Sequence, residues 1–191
     1  MAPQPPTPEE LRRAASGDVR AQNAIFDAWL PVVLRWCARL GGPRVAAEDA
    51  AHDVMIVLLR RFDAIEKPER FPSWLFGVTR RVLRKHRGRA WILRWAGSEL
   101  PDVRDGRQDP ERDLEDSELA ASVRSILAEL PERQREVLVL CDLEERTAPE
   151  VSQLLGVPLG TVASRLRLAR ARFEALARAR SLVPAIAQGV P

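Results

Sequence analysis

The sequence predicts an all-α protein in which an acidic flexible linker joins two small helical domains, the C-terminal one with a helix-turn-helix. Apolar residues recur at helical spacings of three and four, whereas the alternating runs typical of strands are hard to find. The 15 prolines stand mostly in the tails and at breaks between periodic segments. With 191 residues and 46% hydrophobic side chains, the chain can build one ordinary core or two small ones.

Charge marks the domain boundaries. Residues 1–95 contain 17 basic and 10 acidic side chains, whereas residues 96–121 contain three basic and nine acidic ones. An acidic stretch with so few apolar residues is typical of a solvated linker, because it cannot bury enough surface to fold. We therefore predict an N-terminal domain over 1–95, a linker over 96–121, a C-terminal domain over 122–180 and a tail over 181–191.

The N-terminal domain is predicted to carry one acidic helix face. Asp49 and Asp53 stand one helical turn apart, and Glu48 lies beside them. Such a face suits a basic partner surface, although an ordinary solvated face has the same pattern.

A dense basic run follows Trp74, Leu75 and Val78, which repeat at helical spacing and are predicted to lie in the core. Its members are Arg80, Arg81, Arg84, Lys85, Arg87, Arg89 and Arg94, with no acid among them. Cations near phosphates release counterions and add affinity without reading sequence, so the run fits a surface that follows a nucleic-acid backbone. A solvated charged face is the alternative interpretation.

The C-terminal block has the pattern of a helix-turn-helix. A helix is predicted to start at Pro131, and in TAPEVSQLLG a second helix can be capped by Thr147, with Glu150 reaching back to the N–H of the cap. Gly156 suits a left-handed stop, and Pro158 fits the first turn of a third helix. The third helix is rich in arginine, as is expected of a helix that enters the major groove of DNA.

This third helix, in GVPLGTVASRLRLARARF, has one apolar face. Its members are Val162, Leu166, Ala169, Phe173 and Leu176, and they are predicted to be buried. Residues near the start of such a helix lie deepest in the groove, and later ones meet phosphates. The candidates for base edges are Thr161, Ser164, Arg165 and Arg167, and the candidates for phosphates are Arg170 and Arg172.

Both blocks resemble the extracytoplasmic-function sigma factors of bacterial RNA polymerase. The resemblance to region four of that family rests on Leu130-Pro131, Arg135-Glu136-Val137, Glu150-Val151, Leu155-Gly156-Val157-Pro158, Gly160-Thr161-Val162, Ser164-Arg165-Leu166 and Ala169-Arg170. The resemblance to region two rests on Gly17-Asp18, Ala47-Glu48-Asp49, Val54, Phe62, Phe71, Trp74-Leu75-Phe76 and the basic helix behind them. The two blocks stand in the order that the family has.

The resemblance implies an alternative sigma factor that binds core RNA polymerase and promoter DNA, with an anti-sigma factor as a further partner. The arginine-rich helix would recognise the minus-thirty-five element, and Glu48, Asp49 and Asp53 would dock on the polymerase clamp. Candidates for the minus-ten element and strand opening are Glu66, Lys67, Glu69 and Arg70 of the loop DAIEKPERFP, together with Arg80, Arg84 and Arg87.

Other classes of protein account for less of the sequence. No phosphate loop, nucleophile constellation or metal-ligand cluster indicates an enzyme, a cofactor or a small-molecule substrate. Cys37 and Cys141 are far apart and are predicted to be half-buried thiols. A helix-turn-helix regulator that is not a sigma factor would leave residues 44–95 unexplained, and a sigma mimic that sequesters a regulator is a third possibility. Without a signal peptide or a membrane span, we expect a cytoplasmic protein.

Overall fold

The computed structural model describes residues 3–65, 67–95 and 118–182, and every regular element within these ranges is helical. The chain divides into two compact units, the first drawn mainly from residues before 100 and the second mainly from residues after 100. The prediction of an all-α protein with two helical domains is therefore confirmed. Most of the predicted linker, residues 96–117, lies outside the described residues.

Four α-helices lie within the described residues 3–65 and 67–95. They are α1 (Pro8–Ala15), α2 (Val19–Gly41), α3 (Ala47–Arg60) and α4 (Phe71–Trp95), with single 3₁₀ turns at Phe62–Ala64 and Pro68–Arg70. Side-chain caps stabilise the N-termini of α1 and α2. Thr7 and Glu10 form a capping box, and the Asp18 carboxylate accepts hydrogen bonds from the backbone N–H groups at the start of α2. The Arg13 guanidinium also binds Asp18 and lowers the pKa of that carboxyl.

Aromatic pairs join α4 to α2 in the core of the first unit. The Trp29 and Phe71 rings meet edge to face with centroids 5.0 Å apart, and the Trp36 and Phe76 rings do so at 4.9 Å. All four side chains are almost completely buried. Each such pair contributes about 0.5–1.5 kcal/mol beyond the area it buries. The first turns of α4 are thus held against α2, and the basic run follows on the same helix.

Four further α-helices lie within the described residues 118–182. They are α5 (Glu118–Glu129), α6 (Glu132–Leu138), α7 (Ala148–Leu155) and α8 (Leu159–Ala179), and a π-helical turn, Val139–Leu143, extends α6. Helix α5 begins four residues before the predicted domain start at 122. Gly156 ends α7 with a φ of 64°, as predicted. Pro158 is a cap residue and not part of the first turn of α8, because its ψ of 147° is extended.

The predicted capping box at the start of α7 is confirmed. The backbone N–H of Thr147 donates to Glu150 Oε2 at 2.7 Å, and the N–H of Glu150 faces Thr147 Oγ1 at 3.5 Å. A hydrogen bond from the Thr147 hydroxyl to Glu150 Oε2 at 2.6 Å, followed by the one from the Thr147 backbone N–H, lowers the pKa of Glu150. Because its folded pKa is below the unfolded value, this contribution to stability is present at neutral pH and is lost as pH falls through the folded pKa.

We expect Thr147→Ala to destabilise α7 by about 1 kcal/mol, since the cap loses its side-chain oxygen. In the full chain, amide hydrogen exchange in the first turn of α7 should become about fivefold faster at pH 7. The difference should shrink in acid, where wild type also loses the ionised Glu150. The matched control is Thr7→Ala, which removes the same cap from α1 and should leave exchange in α7 unchanged. Unaltered exchange in the Thr147 variant would contradict the assignment.

Candidate nucleic-acid interface

The predicted apolar stripe of α8 faces the interior of the second unit. Val162 and Ala169 are fully buried, and Leu166, Phe173 and Leu176 are half-buried. The opposite side of the helix is exposed at Gly160, Ser164, Arg167 and Ala171. Helix α8 therefore presents a face of small and basic residues, as the sequence predicted.

The arginines of α8 differ in their surroundings. Arg170 Nε and Nη2 donate to the two Asp142 carboxylate oxygens at 2.9 and 2.6 Å, which ties α8 to the π-helical turn. The hydrogen bonds from this pair raise the pKa of Arg170. Within the part of the chain that the structure describes, Arg165, Arg167 and Arg172 form no ion pair. These three can bind DNA directly, whereas Arg170 has to leave Asp142 to reach a phosphate.

The Ser164 hydroxyl has a defined hydrogen-bonding role. Its Oγ donates to the Thr161 carbonyl at 3.1 Å, so in this rotamer the hydroxyl oxygen offers only lone pairs to a ligand. In the major groove, amino groups are presented by adenine and cytosine. Ser164 is thus prepared to accept a hydrogen bond from one of these two bases. Thr161, one turn earlier, is half-buried.

The basic residues of α4 fall on two faces. Arg80 and Arg87 are half-buried, and Arg87 Nη1 donates to the Leu40 carbonyl at the end of α2 at 3.0 Å. Arg84 is exposed, as is the stripe of Arg81, Lys85 and Arg89, whose spacing of four places them on one side of α4. This stripe is not evident from the sequence, because spacing alone does not tell which side of α4 packs against α2.

A cleft lies beside the loop that precedes α4. It has a volume of about 350 Å³ and is lined by Ala64, Ile65, Lys67, Arg70, Ser73 and Trp74. Leu75 and Val78 are buried as predicted, but Trp74 is only half-buried and forms part of this wall. An indole and two cations that line the same cleft offer a stacking surface and charge together, which suits a nucleotide base. Glu69 is exposed nearby in sequence, and Glu66 lies outside the described residues.

The three predicted acids of α3 do not form one uniform face. Glu48 and Asp49 are exposed in its first turn, where the capping residue Ala46 supplies no side-chain hydrogen bond and acids complement the helix dipole. Asp53 Oδ2 instead forms a hydrogen bond of 2.9 Å with His86 Nε2 of α4. Asp53 therefore links two helices, whereas Glu48 and Asp49 are exposed in the first turn of α3.

The thiols offer no reactive site. Cys37 is fully buried, not half-buried as predicted, and burial raises its pKa to about 12. Burial also raises the pKa of the half-buried Cys141. The described ranges contain no group of three or more metal-ligating side chains. Among the helices described, none is long and apolar enough to cross a membrane.

Two family models match the chain, in the order of the two units. The model of sigma-70 region 2 matches residues 25–92, and the model of sigma-70 region 4 matches residues 120–173. The first match covers α3, the cleft and the exposed stripe of α4, and the second covers the helix-turn-helix. These features define a protein of the sigma-70 class.

Two individual relatives show to which group of the sigma-70 class the chain belongs. The ECF RNA polymerase sigma factor ShbA of Streptomyces griseus is 31% identical over 180 residues, which cover 87% of this chain and 93% of that protein. The ECF RNA polymerase sigma factor SigE of Mycolicibacterium smegmatis is 32% identical over 180 residues, which cover 87% of this chain and 68% of that protein. The chain belongs to the ECF RNA polymerase sigma factors, and the predicted family is confirmed.

Solved structures show the same fold. CnrH, solved in complex with the cytosolic domain of CnrY, is 27% identical with a TM-score of 0.62, and the match covers 90% of this chain and 96% of CnrH. The sigma factor RpoE of Bartonella quintana, solved with the anti-sigma factor NepR, is 22% identical with a TM-score of 0.62. That match covers 84% of this chain and 98% of RpoE.

Proposed function

We propose that this protein is an alternative sigma factor that brings promoter specificity and strand opening to core RNA polymerase, whose active centre performs the catalysis. One observation carries the proposal: both sigma-70 regions match in the correct order, each over a unit with a suitable exposed surface. The alternative function, a helix-turn-helix regulator that is not a sigma factor, would account for the second unit alone. Because a sigma factor binds core RNA polymerase, the proposed function also implies a cytoplasmic location.

Helix α8 would read the minus-thirty-five element. Ser164, Arg167 and Arg172 are exposed on this helix, and Thr161 and Arg165 are half-buried beside them. Among the described residues, these three arginines form no ion pair. Guanidinium forks match the two acceptors of guanine, and later residues on the helix meet phosphates. Arg170 is a weaker candidate for a phosphate contact than Arg172, because its ion pair with Asp142 has to break first.

The first unit would bind and open the minus-ten element. The cleft beside Lys67, Arg70 and Trp74 is a suitable place for a base that has left the stack, since it combines an aromatic wall with cations. Glu69, which is exposed, remains a candidate for the minus-ten element by its position in the loop, and so does Glu66, which lies outside the described residues. On α4, Arg84 and the exposed stripe would follow phosphates, and the half-buried Arg80 and Arg87 would contribute from the adjacent face.

Polymerase binding would involve the acidic start of α3. Glu48 and Asp49 are exposed acids, which suit the basic clamp surface that the family resemblance implies. Asp53 would contribute less, because its carboxylate is already bound to His86. An anti-sigma factor is a further proposed partner, and the likeness to CnrH in complex with a segment of CnrY supports it.

The proposed function is tested by transcription of genomic DNA from the source organism with its core RNA polymerase, with and without this protein. We expect new transcripts whose 5′ ends lie downstream of a shared pair of sequence elements. A regulator would bind DNA without core polymerase and create no new start sites. A sigma mimic would bind a protein partner and would create no new start sites either. The absence of new start sites would therefore refute the proposal.

A further inference from the structure

One apolar side chain stands on the side of α8 that is proposed to face DNA. Leu168 is 46% exposed at the middle of the helix, whereas Val162 and Ala169 of the apolar stripe are fully buried. Thr161, Ser164 and Leu168 are separated by three and four positions, so they form one continuous stripe along the helix surface. Leu168 thus follows two candidate base readers on the same face.

The neighbours of Leu168 restrict what can cover it. Arg165 and Arg172 lie three positions before and four positions after it, so they flank it on the helix surface. Neither forms an ion pair in the residues that the structure describes. A purely apolar partner would desolvate these charges, whereas DNA supplies phosphates for the arginines and one apolar group in its major groove, the C5-methyl of thymine.

We propose that Leu168 is a specificity-determining residue that packs against the methyl group of a thymine in the minus-thirty-five element. The inference rests on the proposed function and adds one base contact to the proposed recognition of the minus-thirty-five element. Ser164 and Leu168 are about 6 Å apart along the axis, close to the rise of about two base pairs. The thymine should therefore lie about two base pairs from the base that Ser164 contacts.

Replacement of thymine by uracil tests the contact, because it removes the methyl group and leaves every hydrogen-bonding group in place. A promoter is first selected by the holoenzyme from a pool randomised over the upstream element, and each thymine is then replaced singly. We expect one replacement to weaken holoenzyme binding about fourfold, the factor that corresponds to about 0.8 kcal/mol for one buried methyl group. In Leu168→Ala, thymine and uracil at that position should bind equally.

Leu159→Ala is the matched control. Leu159 is also an exposed leucine of α8, but it lies nine residues away and therefore on the opposite side of the helix. This variant should retain the fourfold effect of uracil, and so should Leu168→Met, which keeps an apolar contact. Circular dichroism of each variant verifies that α8 remains folded.

The possible outcomes separate the two proposals. If no promoter is selected, both the sigma function and the role of Leu168 are wrong. If a promoter is bound but no uracil weakens binding, or the selected element contains no thymine, only the role of Leu168 is wrong. The same conclusion follows if uracil weakens wild type and Leu168→Ala equally. In these cases Leu168 faces a protein partner or solvent.

Discussion

Asp49→Arg should weaken assembly with core RNA polymerase at least tenfold, while the protein remains folded. Asp49 is exposed at the start of α3, and the proposed clamp surface is basic, so the substitution replaces attraction with repulsion. Like charges that meet at an interface cost several kcal/mol, and each 1.4 kcal/mol changes affinity tenfold. The measurement is the dissociation constant for core polymerase at low and at physiological salt, because screening should reduce the effect.

The control for this variant is Glu9→Arg. Glu9 is an exposed acid in the first turn of α1, so its reversal carries a similar helix-dipole penalty in the same unit. It should leave polymerase affinity unchanged. Asp53→Arg is not a suitable test, because it breaks the contact with His86 and changes α3–α4 packing as well as charge. Equal affinities for wild type and Asp49→Arg would remove the start of α3 from the interface.

Arg165→Ala should relax base preference at one or two positions of the minus-thirty-five element. A guanidinium that binds guanine through two hydrogen bonds contributes about 1–3 kcal/mol of discrimination. The ratio of affinities for the preferred base over the other bases should therefore fall by a factor of about five to 150. The measurement is holoenzyme binding to every single-base variant of the element at fixed salt.

Arg172→Ala is the matched control on the same helix. Arg172 is exposed two turns later and likewise forms no ion pair among the described residues. As a phosphate contact, it should weaken all variants of the element alike and lower the salt slope by about one. The order proposed along α8 is reversed if Arg165→Ala acts evenly while Arg172→Ala changes the base preference.

Local features of the fold could be predicted because their causes lie within a few residues. The capping box of Thr147 and Glu150, the left-handed Gly156 and the buried stripe of α8 all depend on spacings of one helical turn or its multiples. The capping box of Thr7 and Glu10 was missed, although TPEE carries the same signal with proline at the first helical position. The π-helical turn after α6 had no signal in the sequence.

The candidate site was predictable to the level of its helices and charges. Sequence assigned α8 and the basic run of α4 to DNA, and both carry exposed basic residues. The sequence could not show which of these charged side chains are already bound to another group of the protein. Arg170 binds Asp142 from 28 positions away, Asp53 binds His86 from 33, and Arg87 binds Leu40 from 47.

Sequence alone thus established the helical class, the two domains, the family and the face of α8 that is buried, because periodicity and capping act over one or two turns. The tertiary fold established which charges are paired, that Trp74 borders a cleft and that Leu168 stays exposed between two arginines. These properties depend on which helices pack together and at what register. Side chains that are distant in the chain meet only after that packing forms, so no local pattern encodes their pairing.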